Sequence, residues 1–487
     1  MYLNNSLLKN AIFNILYKLL NVLFPLISSS YVSHILFARG VGKVSYAQNI
    51  SQYFVLLAPL GLINYGTKQI ARLKNSTNKA NIIFSELFII NFISTTVCVI
   101  GYYVLIFFHP YFKEDKTLFL VTGLAIVFNY INIEWFYQGC EEFKYIAIRS
   151  LVIKTISIIA VFLFVKQESD YLAYAFIYTL AIGGNYFLNI LRLSKFGVKF
   201  SIIGINPEKH LKPVIILLLN SIAIELYTLF DTSMLGYICD EVVVGYYSNA
   251  IKVVRIWVSV ITAISGVLLP RLTYYHNRGL ERESSKIVNS VMSILIYCIL
   301  PSIVGLVILA EPIILVLYGD AFVPAIHTLQ MASILIFALS YSYLFGTQIL
   351  ITYGREKTLF FCSLAGAIIN IVLNLILIPL FFQNGAVIAS IICELVVMIL
   401  MYLSARKCIY IVCSLKDIFL SVSFSLVMGT EIHFIGRSVN NNTYKLIIGI
   451  ISGMICYIFL NLVFNKKSRV IFYKIMTNRI QKCKKGL

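Results

Sequence analysis

Charged residues are scarce in this chain, since Asp, Glu, Lys and Arg together make up only 13% of its 487 residues. A soluble globular protein carries about 25% charged residues, so the composition excludes a water-soluble enzyme. Hydrophobic residues reach 59% and the mean hydropathy is +0.86, which also excludes a disordered or collagen-like chain. The composition therefore indicates a polytopic membrane protein.

The sequence also lacks the usual signatures of a metal centre or a nucleotide site. Its ten cysteines are scattered, and the closest pair of them, Cys408 and Cys413, does not have the spacing of a usual metal site. No glycine-rich nucleotide loop is found. We therefore expect no metal, no cofactor, no ATP hydrolysis and no enzymatic activity, and we interpret the cysteines as packing residues. The first apolar run lacks a small-residue cleavage site and is expected to be a membrane anchor.

Long unbroken apolar runs are the main feature that the sequence does have. Lipid offers no partner for an unpaired backbone group, and these runs lack the polar and apolar alternation of membrane strands, so we predict helices. A span needs about 20 mainly apolar residues, and the chain is predicted to be all-α with about 14 transmembrane helices. The predicted spans begin near Leu8, Val44, Ile82, Thr117, Ile148, Tyr171, Leu211, Tyr246, Lys286, Ala325, Thr358, Gly385, Lys416 and Lys445.

The positive charges predict the orientation of these spans. Most of the 40 Lys and Arg residues fall in loops on the side that holds the N-terminus. Cytoplasmic loops carry such an excess, so both termini are predicted to be cytoplasmic. We attribute the net charge of +19 to this topology signal and expect no nucleic-acid partner. The basic tail 465–487 is expected to contact anionic lipid headgroups of the bilayer.

A short internal repeat predicts how the spans are grouped. Val41–Ala47 matches Val244–Ala250 at four of seven positions, and six predicted spans separate the two copies. Parallel repeats of this kind place a binding site between the two halves, near the bilayer midplane. We therefore predict two pseudo-symmetric six-helix lobes around a central cavity. The predicted regions are an N-lobe in 1–212, a C-lobe in 213–415, two extra helices in 416–464 and a basic tail in 465–487.

Four cations lie within predicted spans, on faces where polar residues recur at helical spacing. They are Lys18, Lys154, Lys252 and Arg255. A charge at mid-bilayer costs about 2.5 to more than 10 kcal/mol, so we predict that these side chains bind an anionic substrate in a water-filled cavity. Two alternatives stay open: Lys252 or Arg255 could pair with an acid and only hold two helices together, and Lys154, predicted nearer the cytoplasmic end, could extend to the membrane surface. The polar residues predicted to line the same cavity are Asn14, Asn21, Asn49 and Gln52.

Four acids also lie within predicted spans. They are Glu134, Glu225, Asp231 and Glu394. A buried carboxylate can carry the coupling ion of a transporter, and it can equally be the counter-ion of a buried lysine or arginine. The sequence leaves both roles open. Asn370 and Asn374, one helical turn apart, are interpreted as interhelical hydrogen-bonding residues.

Short motifs run in order along nearly the whole chain. They are Phe24-Pro25-Leu26-Ile27, Gly40-Val41-Gly42, Tyr46-Ala47, Glu134-Trp135-Phe136-Tyr137-Gln138-Gly139, Asp231, Met234-Leu235-Gly236, Val244-Gly245-Tyr246-Tyr247, Leu317-Tyr318-Gly319, Phe322, Gly354-Arg355, Lys357, Asn370, Asn374, Pro379, Gly385-Ala386 and Glu394. In order and spacing the sequence resembles the polysaccharide-transport family of lipid-linked oligosaccharide flippases. These are the Wzx-type O-antigen flippases of the MOP superfamily, which also contains the MATE transporters.

This resemblance implies a fold of twelve to fourteen helices in two lobes, in the bacterial inner membrane. It also implies alternating-access transfer of undecaprenyl-diphosphate-linked oligosaccharide units, for O-antigen or a similar surface polysaccharide, from the cytoplasmic to the periplasmic leaflet. The expected protein partners are a polysaccharide polymerase and chain-length proteins. The expected substrate contacts fall on Lys18, Lys252 and Arg255, and a diphosphate suits Lys and Arg donors.

Two other functions remain as alternatives. A multidrug/cation antiporter of the same superfamily would have a lumen dominated by acids, and the mid-span cations weigh against it. A membrane glycosyltransferase or O-antigen polymerase would be expected to carry catalytic acids in a sizeable periplasmic loop, whereas the predicted outer loops are short.

Overall fold

The computed structural model describes the backbone of residues 5–73, 77–198, 200–201, 204–266, 268–412 and 414–465. Within those ranges, the side chains of residues 5–23, 77–79, 219–224, 226–228, 264 and 270 are not described. The chain described in this way consists of helices and their connections, and it contains no strand.

The helices follow one another with short connections. In order they are α1 (Asn5–Leu57), α2 (Leu62–Arg72), α3 (Thr77–Phe108), α4 (Lys116–Val127), α5 (Glu134–Gly139), α6 (Phe143–Phe164), α7 (Tyr171–Leu193), α8 (Glu208–Ile238), α9 (Glu241–Gly266), α10 (Leu268–His276), α11 (Glu281–Ile308), α12 (Ala310–Tyr318), α13 (Ala325–Ala332), α14 (Leu335–Ser342), α15 (Glu356–Ala405), α16 (Leu415–Arg437) and α17 (Asn442–Phe464). A π-helical segment, Tyr343–Leu350, continues α14, and short 3₁₀ turns lie in several connections.

Within the described ranges, eight helical segments are long and apolar enough to cross a membrane. They include α3, α6, α7, α11, α15, α16 and α17, and the eighth runs from α13 through the π-helical segment. The chain is therefore a multi-pass membrane protein, and the prediction of an all-α polytopic fold is confirmed.

Two of the helices are too long for a single crossing. With 53 and 50 residues, α1 and α15 would each span about 75 Å if straight, whereas a bilayer core is about 30 Å thick. Each is broken at one phenylalanine with a positive φ of 52°, Phe37 in α1 and Phe382 in α15. A bulky residue with a positive φ interrupts a helix, so each of the two long helices consists of two shorter helices. This division agrees with the predicted span starts near Val44 and Gly385.

The chain divides into two compact units. The first consists of Met1–Ser259 and Arg355–Val397, and the second of Val260–Gly354 and Met398–Leu487. These units are defined by contacts in the structure, whereas the predicted lobes were defined by an internal sequence repeat. The lobe boundaries at 212 and 415 therefore stay a prediction.

An aromatic core holds α2, α3 and α5 together in the first unit. Trp135 and Tyr137 on α5 are buried and pack with Phe84 on α3 and Leu62 on α2. Gly66 on α2 permits this packing, because a Cβ there would lie 2.7 Å from the Trp135 ring. The core fixes α5, and therefore the position of Glu134 at its first turn.

An ion pair joins three helices at one end of the first unit. Lys43 Nζ lies 2.5 Å from Asp115 Oδ2, and the Tyr171 hydroxyl donates a hydrogen bond of 3.0 Å to Asp115 Oδ1. The contact ties α1 to the starts of α4 and α7.

Candidate functional site

A cavity of about 390 Å³ with charged and amide side chains in its wall lies within the first unit. Residues of α1, α2, the α4–α5 connection, α5, α6 and α7 form its wall. Its charged, amide and serine side chains are Ser28, Asn132, Glu134, Gln138, Arg149, Ser150, Lys154, Ser157 and Asn185. Apolar and tyrosine side chains complete the wall. Two of the predicted site residues, Lys154 and Glu134, therefore lie at one cavity.

The chain is not α-helical between α4 and α5, and this break brings Asn132 and Glu134 to the cavity. Lipid-exposed backbone cannot tolerate unpaired groups, so a break at membrane depth needs local partners. Asn132 accepts a hydrogen bond of 3.2 Å from the Glu134 backbone N–H, and its amide donates to Asn129 Oδ1 at 2.9 Å. The Asn129 amide in turn donates to Asn91 Oδ1 at 3.0 Å and to Thr95 Oγ1 at 2.7 Å. This chain of side-chain amides stabilises the break.

A buried ion pair forms one part of the cavity wall. Arg149 Nη2 on α6 lies 2.8 Å from Glu134 Oε2, and both side chains are almost fully buried. The remaining guanidinium donors bond to α7: Nε donates to Asn185 Oδ1 at 3.0 Å, and Nη1 donates to Asn189 Oδ1. Each partner therefore has a charged or amide group facing it, which is the condition under which a buried ion pair is tolerated.

Lys154 lies one and a half turns beyond Arg149 on the same helix. Its amine is 5.6 Å from the centre of the Phe24 ring of α1, and Ser150 and Ser157 flank it on the cavity wall. The sequence predicted Lys154 nearer the cytoplasmic end, because the span was expected to begin near Ile148. That placement is wrong: α6 begins at Phe143, so Lys154 is at its midpoint, about 15 Å from either end.

These charges make the cavity suited to an anion. Glu134 is the one acid in its described wall, and it is paired with Arg149, while Lys154 adds a further positive charge. Hydroxyl and amide groups beside the lysine can donate hydrogen bonds to phosphate or sugar oxygens. In a low-dielectric surrounding such charge-assisted bonds are strong.

A second buried polar cluster in the first unit surrounds Asp231 on α8. Oδ1 accepts hydrogen bonds from Asn370 (2.9 Å) and Asn374 (2.7 Å) on α15. Oδ2 accepts from Tyr247 on α9 at 2.6 Å and from Ser390 on α15. All four donors are neutral, and no lysine or arginine in the described chain lies within ion-pair distance of Asp231. Lys252 and Arg255 are therefore not its ion-pair partners in this structure.

The other two cations predicted for the site lie on α9. Lys252 is half-buried and donates a hydrogen bond of 3.1 Å to Asn249 Oδ1, and Asn249 donates to Ser33 on α1 at 2.8 Å. Arg255 is exposed, and among the described residues no acid lies within 4.0 Å of its guanidinium. The structure therefore does not join either cation to a described acid.

The remaining predicted site residues are dispersed. Asn49 is buried in a helix contact, where its amide donates to the Leu229 carbonyl at 3.0 Å and to Ser233 at 2.7 Å on α8. Gln52 and Glu225 are exposed, and Glu394 is buried on α15. The side chains of Asn14, Lys18 and Asn21 lie outside the described residues, so those three stay predictions.

Sequence reasoning missed Arg149. It lies next to the predicted start of a span, where arginines are usual at the membrane surface, so nothing marked it as buried. The available signal was on α7: Asn185 and Asn189 are four residues apart and therefore share a helix face within an otherwise apolar segment. Two amides on one face of a span predict a polar or charged partner on the neighbouring helix.

Comparisons with known proteins agree with this architecture. The sequence pattern of the family described as "Polysaccharide biosynthesis protein" matches residues 7–276, more than half of the chain. Two curated relatives are described as "Putative O-antigen transporter". The one from Escherichia coli (strain K12) is 23% identical and covers 84% of this chain and 99% of its own length. The one from Shigella dysenteriae is 26% identical and covers 82% and 100%.

A solved structure supports the same fold. The structure titled "Lipid II flippase MurJ, inward closed conformation" superposes with a TM-score of 0.73 at 18% identity. It covers 94% of this chain and 99% of its own length. At this identity the likeness shows a shared transporter fold.

Proposed function

Because the chain belongs to the polysaccharide biosynthesis protein family, we propose that it is a flippase for lipid-linked oligosaccharides. Its substrate would be an undecaprenyl-diphosphate-linked repeat unit of O-antigen or a similar surface polysaccharide, moved from the cytoplasmic to the periplasmic leaflet. The observation that carries this proposal is the cavity whose wall holds Lys154 and Arg149 among helices that include candidate membrane spans. The descriptions of the two O-antigen transporter relatives and of the lipid II flippase support the same class of substrate.

The chemistry of such a substrate matches the cavity. A diphosphate needs positive charge to offset the loss of its hydration, and the described cavity wall holds two cations, Lys154 and Arg149, and one acid, Glu134. Amides and hydroxyls such as Asn132, Gln138 and Ser157 suit sugar hydroxyl groups. The cavity volume of about 390 Å³ is large enough for one or two sugar-sized groups, so a longer glycan would extend beyond it.

The other cations are part of the same proposal. Lys18, Lys252 and Arg255 would bind the substrate in a central cavity between the two predicted lobes. The orientation with both termini in the cytoplasm, the inner-membrane location, and the polymerase and chain-length partners also stand as proposals.

Asp231 is the proposed coupling residue. It is buried, and its four hydrogen-bond donors are all neutral. A carboxylate without a paired cation can gain and lose a positive ion, which a carboxylate in a tight ion pair cannot do without breaking the pair. Its partners come from α8, α9 and α15, so a change in its charge state would act on the packing of three helices.

The cavity weighs against the antiporter alternative. A transporter of organic cations would need an excess of acids where its substrate binds, whereas Glu134 is the one acid in the described wall and it is paired with Arg149.

The experiment is a leaflet-transfer assay with purified protein in liposomes that contain a fluorescent undecaprenyl-diphosphate oligosaccharide. Lys154→Ala should lower the transfer rate about tenfold or more, because it leaves the described cavity wall with one cation and one acid, Arg149 and Glu134, which are paired with each other. Lys144→Ala is the matched control, since Lys144 is exposed near the start of the same helix, and it should transfer at the wild-type rate. If the wild-type protein transfers the substrate and Lys154→Ala transfers it at the same rate, the assignment of this cavity as the substrate site is contradicted. No transfer by the wild-type protein would contradict the function itself.

A further inference from the structure

Four basic side chains surround an open pocket in the second unit. Arg282 and Lys286 belong to the first turns of α11, and Arg406 and Lys407 directly follow the end of α15. The pocket between them has a volume of about 640 Å³. We call these four residues and the space between them the basic pocket.

Asn289 on α11 holds the two sides of the basic pocket together. Its side-chain oxygen accepts a hydrogen bond of 3.0 Å from the Val412 backbone N–H, and its amide donates to the Tyr410 carbonyl at 3.4 Å. The segment that links α15 to α16 is thereby attached along α11. Side chains from two separate parts of the chain consequently converge on one space.

The basic pocket has an excess of positive charge. Lys286 contacts Glu283 at 2.9 Å in an exposed pair, and such a pair contributes little free energy. Among the described residues no acid lies within ion-pair distance of Arg282, Arg406 or Lys407. Four cations with one acid, Glu281, on the same wall repel one another, and an anion bound between them would relieve that repulsion.

The pocket lies where helices long and apolar enough to span a membrane begin and end. It is at the ends of three spanning helices: α11 and α16 begin beside it, and α15 ends there. Large apolar side chains are exposed on its wall and at the start of α16, with Tyr410 at 76%, Leu415 at 78% and Phe419 at 72% relative exposure. Exposed apolar groups of this size are suited to acyl chains, and cations at the end of a span are suited to lipid phosphates.

We propose that the basic pocket binds the headgroup phosphate of an anionic phospholipid of the bilayer, with the acyl chains against Tyr410, Leu415 and Phe419. A topology signal alone requires only that basic residues be present on one side of the membrane. Such a signal does not require hydrogen bonds between α11 and the α15–α16 connection. It also does not require that the basic side chains of these two segments line one pocket. The bound lipid would stabilise the contact of the α15–α16 connection with α11.

The test measures phosphatidylglycerol binding to the full-length protein by native mass spectrometry in detergent. The double variant Arg282→Gln/Arg406→Gln should weaken the affinity about tenfold or more, since each basic residue near the surface contributes about 1 kcal/mol. The control variant Lys68→Gln/Arg72→Gln removes the same charge from exposed positions of α2 and should bind as the wild type does. Phosphatidylcholine, which has no net charge, should bind weakly to all three proteins.

Three results would overturn the proposal. Equal loss of phosphatidylglycerol in both double variants would mean that net charge alone attracts the lipid. Equal binding of phosphatidylcholine to the wild type would mean that the phosphate charge is not recognised. Displacement of phosphatidylglycerol by stoichiometric undecaprenyl diphosphate would assign the pocket to the transported lipid. The proposed flippase function is tested separately by the transfer assay and does not depend on this result.

Discussion

Gly42 on α1 and Gly245 on α9 lie so close that a Cβ on Gly42 would come within 3.0 Å of the Gly245 backbone nitrogen and would overlap the Glu241 carbonyl. A Cβ on Gly245 would in turn overlap the Ala38 carbonyl oxygen and lie 3.0 Å from its carbon. The two glycines occupy equivalent positions in Val41–Ala47 and Val244–Ala250. The two copies of the sequence repeat therefore pack against each other, and only glycine permits this approach.

A methyl group at this contact should force the helices apart. Gly245→Ala adds a Cβ where backbone atoms already lie, and overpacking of this kind costs about 1–3 kcal/mol. In an alternating-access transporter, we expect the variant to favour states in which α1 and α9 are separated at this end. Cross-linking of Ser33→Cys to Asn249→Cys, whose native side chains are hydrogen-bonded at 2.8 Å, should fall several-fold.

Gly305→Ala is the control for this experiment. Gly305 lies within α11, and a Cβ there would meet no atom within 4 Å. All cross-linking is measured in a protein whose native cysteines are replaced. In that protein, Gly305→Ala should leave the yield of the Ser33→Cys to Asn249→Cys cross-link unchanged. An unchanged yield in Gly245→Ala as well would show that the close approach of the two repeats does not limit helix separation.

Under the proposed coupling role of Asp231, neutralising this residue should remove the response of transport to an imposed ion gradient. Asn has almost the same shape, and the Tyr247 and Ser390 hydroxyls can rotate to accept hydrogen bonds, so we expect Asp231→Asn to cost no more than about 1–3 kcal/mol in stability. The rate of transfer by Asp231→Asn in liposomes should no longer change when a proton or sodium gradient is imposed. Asp417→Asn is matched for burial and for hydroxyl donors, since Ser293 and Tyr297 bond to Asp417. A gradient response that survives in Asp231→Asn would refute the coupling role.

The Glu134–Arg149 pair should behave as one unit in stability measurements. Arg149→Gln leaves the Glu134 carboxylate buried without its cation, and breaking such a pair costs about 3–5 kcal/mol. The double variant Glu134→Gln/Arg149→Gln removes both charges and should recover most of the thermal stability lost in the single variant. The midpoint of thermal unfolding in detergent measures both. Equal destabilisation by Arg149→Gln and by the double variant would show that the lost stability does not come from the Glu134 charge that the single variant retains.

The sequence predicted the fold well because span length and apolar composition are local properties. The expected starts near Thr117, Tyr171 and Ala325 lie within one residue of the observed starts of α4, α7 and α13. The break in α15 at Phe382 lies close to the expected start near Gly385, whereas the break in α1 at Phe37 precedes the expected start near Val44 by about two helical turns. A bilayer imposes one length and one kind of side chain on every crossing, so little information from distant parts of the chain is needed.

The site was less predictable because its contacts join distant segments. Asp231 was recognised as buried, but its donors Tyr247 and Ser390 are on different helices, and nothing in a single sequence pairs them. Arg149 had the opposite difficulty: its position near a span boundary resembled an ordinary interfacial arginine. Helical spacing shows which residues share a face but not which face of another helix meets it.

Arg255 provides a test of charge against geometry in the proposed substrate site. Its guanidinium is exposed and no acid in the described chain lies within ion-pair distance of it, so no described carboxylate holds it in one orientation. We expect the positive charge to matter more than the planar fork of donors, and Arg255→Lys should retain most of the oligosaccharide transfer rate. Arg255→Gln should lower it about fivefold or more, the loss expected for one charge-assisted contact. Transfer measured at equal protein content separates these outcomes, and a loss in Arg255→Lys as large as in Arg255→Gln would instead indicate bidentate contact with phosphate.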